Sequence, residues 1–298
     1  MQFLVYILVY PFMWLVSILP FRLLYAFSDF LYFWVYKVFG YREKIVQNNL
    51  RLVFPDKPQT EINDITNKFY HHLCDMIVEA IKSLTISEKE MKNHFKFANV
   101  EVLNNIEKMN KSTILMCAHY GSWEWIFILN RFVNKNTKGY AVYKRLGNPY
   151  FDSLVKRIRA KYNSHLITTK ETIPTLIRAK VDGKLTISGF VSDQTAKLHN
   201  AMHWGEFMGY KVPMHTGAEM LAKRLDMAVV FFRVKRLKRG YYETTFDLIT
   251  LDPKSFKDYE ITDYFFRLVE KQIVEAPQYY LWTHKRWKHK DIVPEKFK

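Results

Sequence analysis

A histidine and a glutamate lie close together immediately after an apolar segment of the chain. His119 and Glu124 follow residues 114–118, whose side chains are typical of a buried strand. If the chain turns into a helix at Gly121, the glutamate lies in the first turn of that helix. Its carboxylate is then expected to hold one nitrogen of the imidazole, which leaves the other nitrogen available to accept a proton.

This pair of side chains is suited to removing a proton from a hydroxyl or an amine. Histidine has an unperturbed pKa of about 6.5, so its neutral form can act as a general base, and a carboxylate partner fixes the tautomer and stabilises the imidazolium. No serine or cysteine stands in a Gly-x-Ser-x-Gly motif, so the nucleophile is expected to belong to the substrate. Taken alone, such a pair is more often structural, with the acid facing a helix N-terminus.

The first forty residues form an apolar and aromatic segment. Residues 2–21 carry no charged side chain, and a stretch of this length is about as long as a bilayer-spanning helix. Pro11 and Pro20 argue against one straight helix. No basic residue precedes this stretch, in contrast to a secretory signal peptide. The many aromatic rings are typical of the headgroup level of a membrane. Residues 1–40 are therefore predicted to be a retained membrane anchor, spanning the bilayer or lying in its interface, rather than a buried pair of helices.

The net charge of the chain indicates an anionic partner. Lys and Arg number 45 against 29 Asp and Glu, a formal charge of +16, with basic clusters in residues 156–161, 235–239 and 285–290. Such an excess attracts nucleic acid or an anionic membrane surface. No zinc-finger spacing, RNP-like motif or recognition helix accompanies the clusters, so nucleic acid is not expected to bind. Together with the apolar segment, the charge favours anionic membrane lipid.

The remainder of the chain, residues 41–298, is predicted to be one globular domain, because it has no linker-like tract and no internal repeat. The only cysteines are Cys74 and Cys117, which gives no disulfide framework and favours a reducing cytoplasm around this domain.

Apolar runs and helical periodicities alternate along this domain. Strands are predicted at residues 114–118, 139–143, 164–168, 185–191, 227–234 and 241–251, and helices at 60–84, 151–162, 173–181 and 261–276. The alternation indicates an α/β fold with a mixed, mostly parallel sheet flanked by helices, in which the last two strands form a hairpin. The apolar stripe of the long helix 60–84 is expected to pack on this domain.

Ligands of open α/β sheets bind at the carboxyl ends of the strands. The polar groups expected to meet there follow different predicted strands: His119 and Glu124, Tyr143 to Arg145, Ser192 to Gln194, and Thr216 with Gly217. Thr216 opens a predicted helix whose N-terminus can receive a phosphate; the alternative is that it only caps that helix.

A metal site is not expected at His199 and His203, which lie four positions apart. The intervening residues lack the glutamate of a His-Glu-x-x-His motif, and no third ligand is evident.

In their order and spacing these motifs resemble the bacterial lipid A secondary acyltransferases, members of the lysophospholipid acyltransferase-like superfamily. The resemblance covers nearly the whole chain. It rests on the aromatic N-terminal segment, a basic helix ending in residues 48–55 (NNLRLVFP), His119 and Glu124, residues 143–149 (YKRLGNP), Arg159, Asp193 and Gln194, Thr216 and Gly217, and residues 277–287 (PQYYLWTHKRW). The family more often has Asn in place of Ser122 and Gly in place of Asn163, and asparagine tolerates the left-handed conformation that such a glycine can adopt.

The resemblance implies a glycerolipid acyltransferase-like fold and an O-acyltransferase. The enzyme would move a fatty acyl group from a thioester of acyl carrier protein or CoA to a hydroxyl of a lipid A precursor, without any other cofactor. His119 would be the general base, Glu124 would orient it, and backbone N–H groups near Gly121 would stabilise the oxyanion. An acidic carrier protein would also suit the basic surface.

The resemblance also assigns roles to the other motif residues. Arg145 and Arg159 would contact phosphate groups of the lipid or of phosphopantetheine, or else form ordinary surface salt bridges. Asp193 and Gln194 would position the acceptor or brace the histidine loop, and Thr216 would contact substrate.

The expected location is the inner, cytoplasmic membrane, with the catalytic domain on the cytoplasmic side. Two alternatives remain open at this point. The acceptor can be another lysolipid, such as lysophosphatidic acid or an aminolipid, or the chain can be a membrane-bound lipid-binding protein without catalytic activity.

Overall fold

In the computed structural model, which describes residues 1–297 apart from the side chain of Asn200, helices and strands alternate over most of the chain. The α-helices are α1 (Gln2–Ile18), α2 (Phe21–Tyr32), α3 (Glu43–Val53), α4 (Gln59–Lys82), α5 (Glu88–His94), α6 (Glu101–Lys108), α7 (Pro149–Ala160), α8 (Thr169–Val181), α9 (Gly217–Leu225) and α10 (Glu260–Glu275). The strands are β1 (Phe95–Phe97), β2 (Thr113–Cys117), β3 (Lys138–Tyr143), β4 (Ser164–Thr168), β5 (Thr186–Val191), β6 (His203–Phe207), β7 (Tyr210–Met214), β8 (Ala228–Lys238) and β9 (Tyr241–Thr250). A π-helical turn, Phe33–Val38, continues α2, and a 3-10 helix, Trp123–Arg131, follows β2.

Within residues 1–297, seven strands form one sheet in the order β1-β9-β8-β2-β5-β3-β4. The neighbouring pairs from β8 through β2, β5 and β3 to β4 are parallel, and β8 pairs with β9 in the antiparallel sense. The predicted mixed, mostly parallel sheet and the predicted hairpin are therefore confirmed, as are the four predicted helices. The short strand β1 and the separate β6–β7 hairpin were not predicted.

The sheet is covered on both faces, because successive side chains of its central strands point to opposite sides. From β2, Ile114 and Met116 enter a core formed with α4, α9 and α10. Leu115 and Cys117 enter a second core, formed with α5, α6 and the 3-10 helix. The central strands are thus buried on both faces, which fixes the position of the residues that follow β2.

The N-terminal helices pack on α4 and expose their outer faces. Pro11 lies inside α1, and Pro20 separates α1 from α2, so the predicted break in this segment is confirmed. Val16 and Leu24 are buried together with Val78 of α4. None of the helices in the described part of the chain combines the length and apolar content needed to cross a membrane. Membrane attachment of residues 1–40, and their separation from residues 41–298 as a distinct unit, stay predictions.

A buried ionic cluster ties α2 and α4 to the turn between β8 and β9. Asp75 of α4, which is almost fully buried, pairs with Arg236 at 2.9 Å and with Arg239 at 2.7 Å. Arg239 also pairs with Asp29 of α2 at 2.6 Å, and Ser28 donates to Asp75 at 2.7 Å. The cluster therefore fixes α2 and α4 on the β8–β9 hairpin.

Candidate active site

Two loops meet at the carboxyl ends of neighbouring strands. Cys117, the last residue of β2, is in register with Val191, the last residue of β5. The backbone N–H of Ser192 donates to the carbonyl of Cys117 at 3.1 Å, which keeps the chains paired just beyond the strands. His119 and Asp193, which follow directly, are consequently placed side by side.

The imidazole of His119 is held by the carboxylate of Asp193. Nδ1 lies 2.7 Å from Oδ1 of Asp193, and the backbone N–H of His119 donates to the same oxygen at 3.1 Å. The Asp193 side chain is 1% exposed, whereas that of His119 is 20% exposed. The carboxylate is thus buried, and the imidazole that it contacts remains partly exposed.

The two groups shift each other's pKa. Burial lowers the pKa of His119, but the charge and hydrogen bond of Asp193 and the charge of Glu124 outweigh it, so the pKa lies above 6.5. Burial raises the pKa of Asp193, but the charge of His119 and hydrogen bonds from His119 bring it below 3.8. Asp193 therefore stays ionised, and it stabilises the imidazolium that forms when His119 takes a proton.

The second ring nitrogen contacts the side chain of Gln194. Because the carboxylate can only accept, Nδ1 of His119 carries the hydrogen and Nε2 carries the lone pair. The amide nitrogen of Gln194 lies 3.2 Å from Nε2 and donates to it, and the Trp123 ring packs edge-on against the imidazole at 5.0 Å between centroids. Nε2 is thus the ring nitrogen with a lone pair, and it accepts a hydrogen bond from the Gln194 amide.

Glu124 does not hold the imidazole, so the predicted contact between His119 and Glu124 is wrong. Its carboxylate forms an ion pair with the guanidinium of Arg159, at the end of α7. The physical reason is local: Gly121 has a φ of +59°, and the following helix begins only at Trp123 and is a 3-10 helix. Glu124 is turned toward α7 and acts on the ring through its charge alone.

The N–H of Gly121 is also not available for an oxyanion. It donates to the carbonyl of Tyr279 at 3.0 Å, while the N–H of Leu281 donates to the carbonyl of His119 at 3.1 Å. Gly121 itself therefore cannot supply this donor, because the C-terminal chain already pairs with the histidine loop at this position. Stabilisation of an oxyanion by other backbone N–H groups near Gly121 stays a prediction.

Of the remaining predicted residues, Arg159 is close to the site and Arg145 is not joined to it by any described contact. Arg159 is held by Glu124, whereas the Arg145 side chain is 72% exposed and lies 3.8 Å from Asp152 at the start of α7. Asn163 has a φ of 62°, so the left-handed conformation expected there is confirmed.

Thr216 precedes α9, so the predicted helix start is confirmed. Thr216 occupies the N-cap position, but its hydroxyl donates to the sulfur of Met220 at 3.6 Å and accepts no bond from a backbone N–H group of the helix. The neighbouring His215 hydrogen-bonds the backbone of Thr195, which places this helix end beside the Asp193 loop. A substrate contact of Thr216 stays a prediction.

The two histidines considered for a metal belong to different elements. His199 lies in a short 3-10 turn and His203 opens β6, where its Nε2 is 2.6 Å from Oδ1 of Asp263. Over residues 1–297, no group of three or more His, Cys, Asp or Glu side chains is arranged to hold a metal ion. Cys74 and Cys117 are both buried and free.

Comparisons with known proteins assign the chain to a family. Residues 1–289 match the family model described as bacterial lipid A biosynthesis acyltransferase. The lipid A biosynthesis lauroyltransferase of Escherichia coli (strain K12) is 23% identical over 290 residues, which cover 96% of this chain and 92% of that protein. The palmitoleoyltransferase of the same strain is 21% identical over 84% of this chain and 80% of its own length, and a lipid A biosynthesis acyltransferase of Haemophilus influenzae is 26% identical over 85% and 79%. The family match includes both loops of the site, so this chain belongs to the bacterial lipid A biosynthesis acyltransferase family and is an acyltransferase.

Proposed function

We propose that this acyltransferase moves a fatty acyl group from a thioester of acyl carrier protein or CoA to a hydroxyl of a lipid A precursor. The observation that carries the proposal is the bond between His119 and Asp193, which leaves the lone pair on Nε2 of a partly exposed ring. The acceptor follows from the names of the relatives, all of which act in lipid A biosynthesis. No metal or cofactor is part of the proposal.

The reaction proceeds as base-catalysed acyl transfer. Nε2 of His119 takes the proton of the acceptor hydroxyl as its oxygen attacks the thioester carbonyl, which forms the C–O bond and a tetrahedral oxyanion. When the oxyanion collapses, the C–S bond breaks and the imidazolium returns the proton to the leaving thiolate. The products are the ester and the free thiol, and the imidazole is again neutral.

The surrounding residues support each step. Asp193 fixes the Nδ1–H tautomer and stabilises the imidazolium, while the Gln194 amide marks the position from which a donor approaches Nε2. Arg159, held at the site by Glu124, presents a guanidinium fork that suits a phosphate of the lipid or of phosphopantetheine. The site therefore combines a base with a cation for an anionic substrate.

The location proposed for the enzyme is the cytoplasmic side of the inner membrane. Many apolar residues on α1, α2 and the π-helical turn are exposed, including Leu8 and Leu4 at 76% and 62%. Exposed apolar surface of this size is typical of an interaction site, and a net charge of +16 favours anionic lipid and an acidic carrier protein. The acceptor lipid and the acyl carrier protein would then bind at the same surface.

The test is an acyl transfer assay with purified protein, an acyl carrier protein thioester and a lipid A precursor. His119→Ala is expected to lower kcat by about 1,000-fold or more, because it removes the base. His165→Ala removes an exposed histidine of β4 and should keep wild-type activity. Undiminished transfer by folded His119→Ala would refute the proposed mechanism.

The same assay distinguishes the alternatives. Transfer to lysophosphatidic acid or an aminolipid but not to the lipid A precursor would replace the acceptor while keeping the base. Lipid binding without transfer from any thioester would support the non-catalytic alternative instead.

A further inference from the structure

The loop that carries Asp193 and Gln194 is held by residues 279–286, which we call the C-terminal segment. Nε2 of His284 lies 3.2 Å from the backbone nitrogen of Thr195, which donates to it. The Thr195 hydroxyl donates to the carbonyl of Arg286 at 2.8 Å. The residue directly after Gln194 is thus fixed through both its backbone and its side chain.

His284 must be neutral to make this contact. A backbone N–H can only donate, so Nε2 carries a lone pair and the ring hydrogen is on Nδ1. Burial lowers the pKa of His284 to about 4. The negative charge of Asp193 acts in the opposite direction, and the positive charges of Arg286 and His119 lower the pKa further. The ring is therefore a constant hydrogen-bond acceptor at neutral pH.

The C-terminal segment also holds the other loop of the site. Its Tyr279 carbonyl accepts from Gly121, and its Leu281 N–H donates to the His119 carbonyl, so it forms a short antiparallel bridge with the histidine loop. One segment consequently sets the position of the base and of the carboxylate that supports it.

The segment is itself anchored by one buried amide. Nδ2 of Asn49, on α3, donates to the carbonyl of Trp282 at 2.8 Å and to that of His284 at 2.9 Å. Both amide hydrogens are used, and Asn49 is buried. A continuous path of hydrogen bonds thus runs from Asn49 through His284 and Thr195 to the Asp193 loop.

We propose that His284 is a positioning residue for acyl transfer: as a neutral acceptor it fixes Thr195, and with it the Asp193 carboxylate and the Gln194 amide, against His119. Asn49 holds His284 in place. The inference rests on the proposed function of His119, since a loop can be positioned for catalysis only if the base it supports is catalytic. Misplacing a catalytic group by about 1 Å can cost about 100-fold in rate, which is the scale of effect expected here.

The test compares two substitutions of one residue. His284→Ala removes the acceptor and should lower kcat by about 10- to 100-fold with little change in KM for the thioester. His284→Gln places Oε1 as many bonds from the backbone as Nε2, so it keeps an acceptor for Thr195 and should restore most of the rate. Equal loss in both variants, or full activity of His284→Ala, would overturn the inference.

A spectroscopic readout separates positioning from folding. The hydrogen between Nδ1 of His119 and Asp193 should give a strongly downfield proton signal in NMR spectra, which His284→Ala and Asn49→Ala should shift or broaden. Asn99→Ala is the matched control, because it also removes two side-chain bonds to backbone, both to Phe246, and it is separated from β2 by β8 and β9. Asn99→Ala should leave the NMR signal and kcat unchanged. An unaltered signal in folded His284→Ala would contradict the inference.

The two proposals fail differently. Full activity of His119→Ala refutes the proposed function, whatever His284 does. Loss of activity in His119→Ala together with full activity in His284→Ala refutes only the positioning role.

Discussion

Asp193 accepts two hydrogen bonds from one residue, the ring and the backbone N–H of His119. This double contact fixes the rotation of the imidazole as well as its tautomer. Glu124, by contrast, reaches the ring only through its charge, because its carboxylate is bound to Arg159. The two carboxylates near the imidazole therefore act on it differently: Asp193 orients the ring, and Glu124 affects only its pKa.

Glu124→Gln is expected to move the acidic limb of the pH profile of kcat/KM to lower pH. A general base works when it is neutral, so activity rises as pH passes the pKa of His119. The negative charge of Glu124 helps to raise that pKa, and neutralising it while Arg159 stays charged lowers it. The measurement is the pH dependence of kcat/KM. A limb that moves to higher pH would show that Glu124 does not act on the ring as described.

The sequence predicts that His119 and residues 192–194 meet at one edge of the sheet, but it does not predict that Asp193 is the carboxylate bonded to the ring. A histidine that directly follows an apolar run is predicted to lie at the end of a strand, and this prediction uses only neighbouring residues. The pairing with Asp193 depends on β5 lying next to β2, although β3 and β4 come between them in the chain. A single sequence predicts the strands but not their order in the sheet. It therefore favours the acid nearest in the chain, Glu124, as the partner of the ring, and the structure pairs Glu124 with Arg159 instead.

At the scale of elements, the ionic cluster around Asp75 connects two N-terminal helices to the sheet. Asp75→Ala leaves Arg236 buried without its carboxylate, and removal of one partner of a buried pair costs about 3 kcal/mol or more. The measurement is the free energy of unfolding by urea. Asp64→Ala, which breaks an exposed ion pair with Lys68 on the same helix, should cost less than about 1 kcal/mol. Equal costs would contradict a structural role for the cluster.

Elements with a long, regular pattern were predictable, and those built from short contacts were not. α4 repeats apolar residues along one face over its whole length, so its burial follows from periodicity. β1 has only three residues, and β6 and β7 form a separate hairpin whose turn at Met208 and Gly209 has positive φ at both positions. Their pairing partners are set by tertiary contacts that no short window of sequence contains.

At the scale of the whole molecule, the stability of the fold should depend on the protonation of Glu79. Burial and the charge of Asp75 raise the pKa of Glu79 from 4.5 to about 7, against hydrogen bonds from Tyr25 and Ser122. The folded protein therefore keeps a proton that the unfolded chain releases between these pH values. The contribution of Glu79 to the free energy of unfolding should therefore fall as pH rises from about 4.5 to about 7, whereas buried histidines with lowered pKa values, such as His72, contribute in the opposite direction.

Glu79→Gln tests this dependence, because the amide oxygen can still accept from Tyr242 but the side chain cannot ionise. Urea denaturation at pH 5 and pH 8 gives the change in the free energy of unfolding between these pH values, which should be less negative or more positive for the variant than for the wild type. The same change in both proteins would mean that Glu79 does not contribute to the pH dependence.

The exposed face of α1 is expected to determine how the whole molecule binds a membrane. Leu4, Leu8 and Phe12 follow one another at four-residue spacing on one face of the helix, and all are exposed, at 62%, 76% and 53%. On the opposite side, Tyr6 packs against Tyr150 and Phe151 of α7, so the exposed face has a fixed direction. If this face enters the interface, replacing the three residues with serine should weaken binding to vesicles of anionic and zwitterionic phospholipid by tenfold or more, since each apolar side chain contributes on the order of 1 kcal/mol.

Co-sedimentation at low and high salt measures this binding, because high salt suppresses the contribution of the basic surface. A control with serine at Met109, Val181 and Ile292, which are also exposed and apolar but lie outside the N-terminal helices, should bind like the wild type. Unchanged binding of the α1 variant at high salt would contradict insertion of this face. Binding lost in both proteins at high salt would assign the attachment to the positive charge instead.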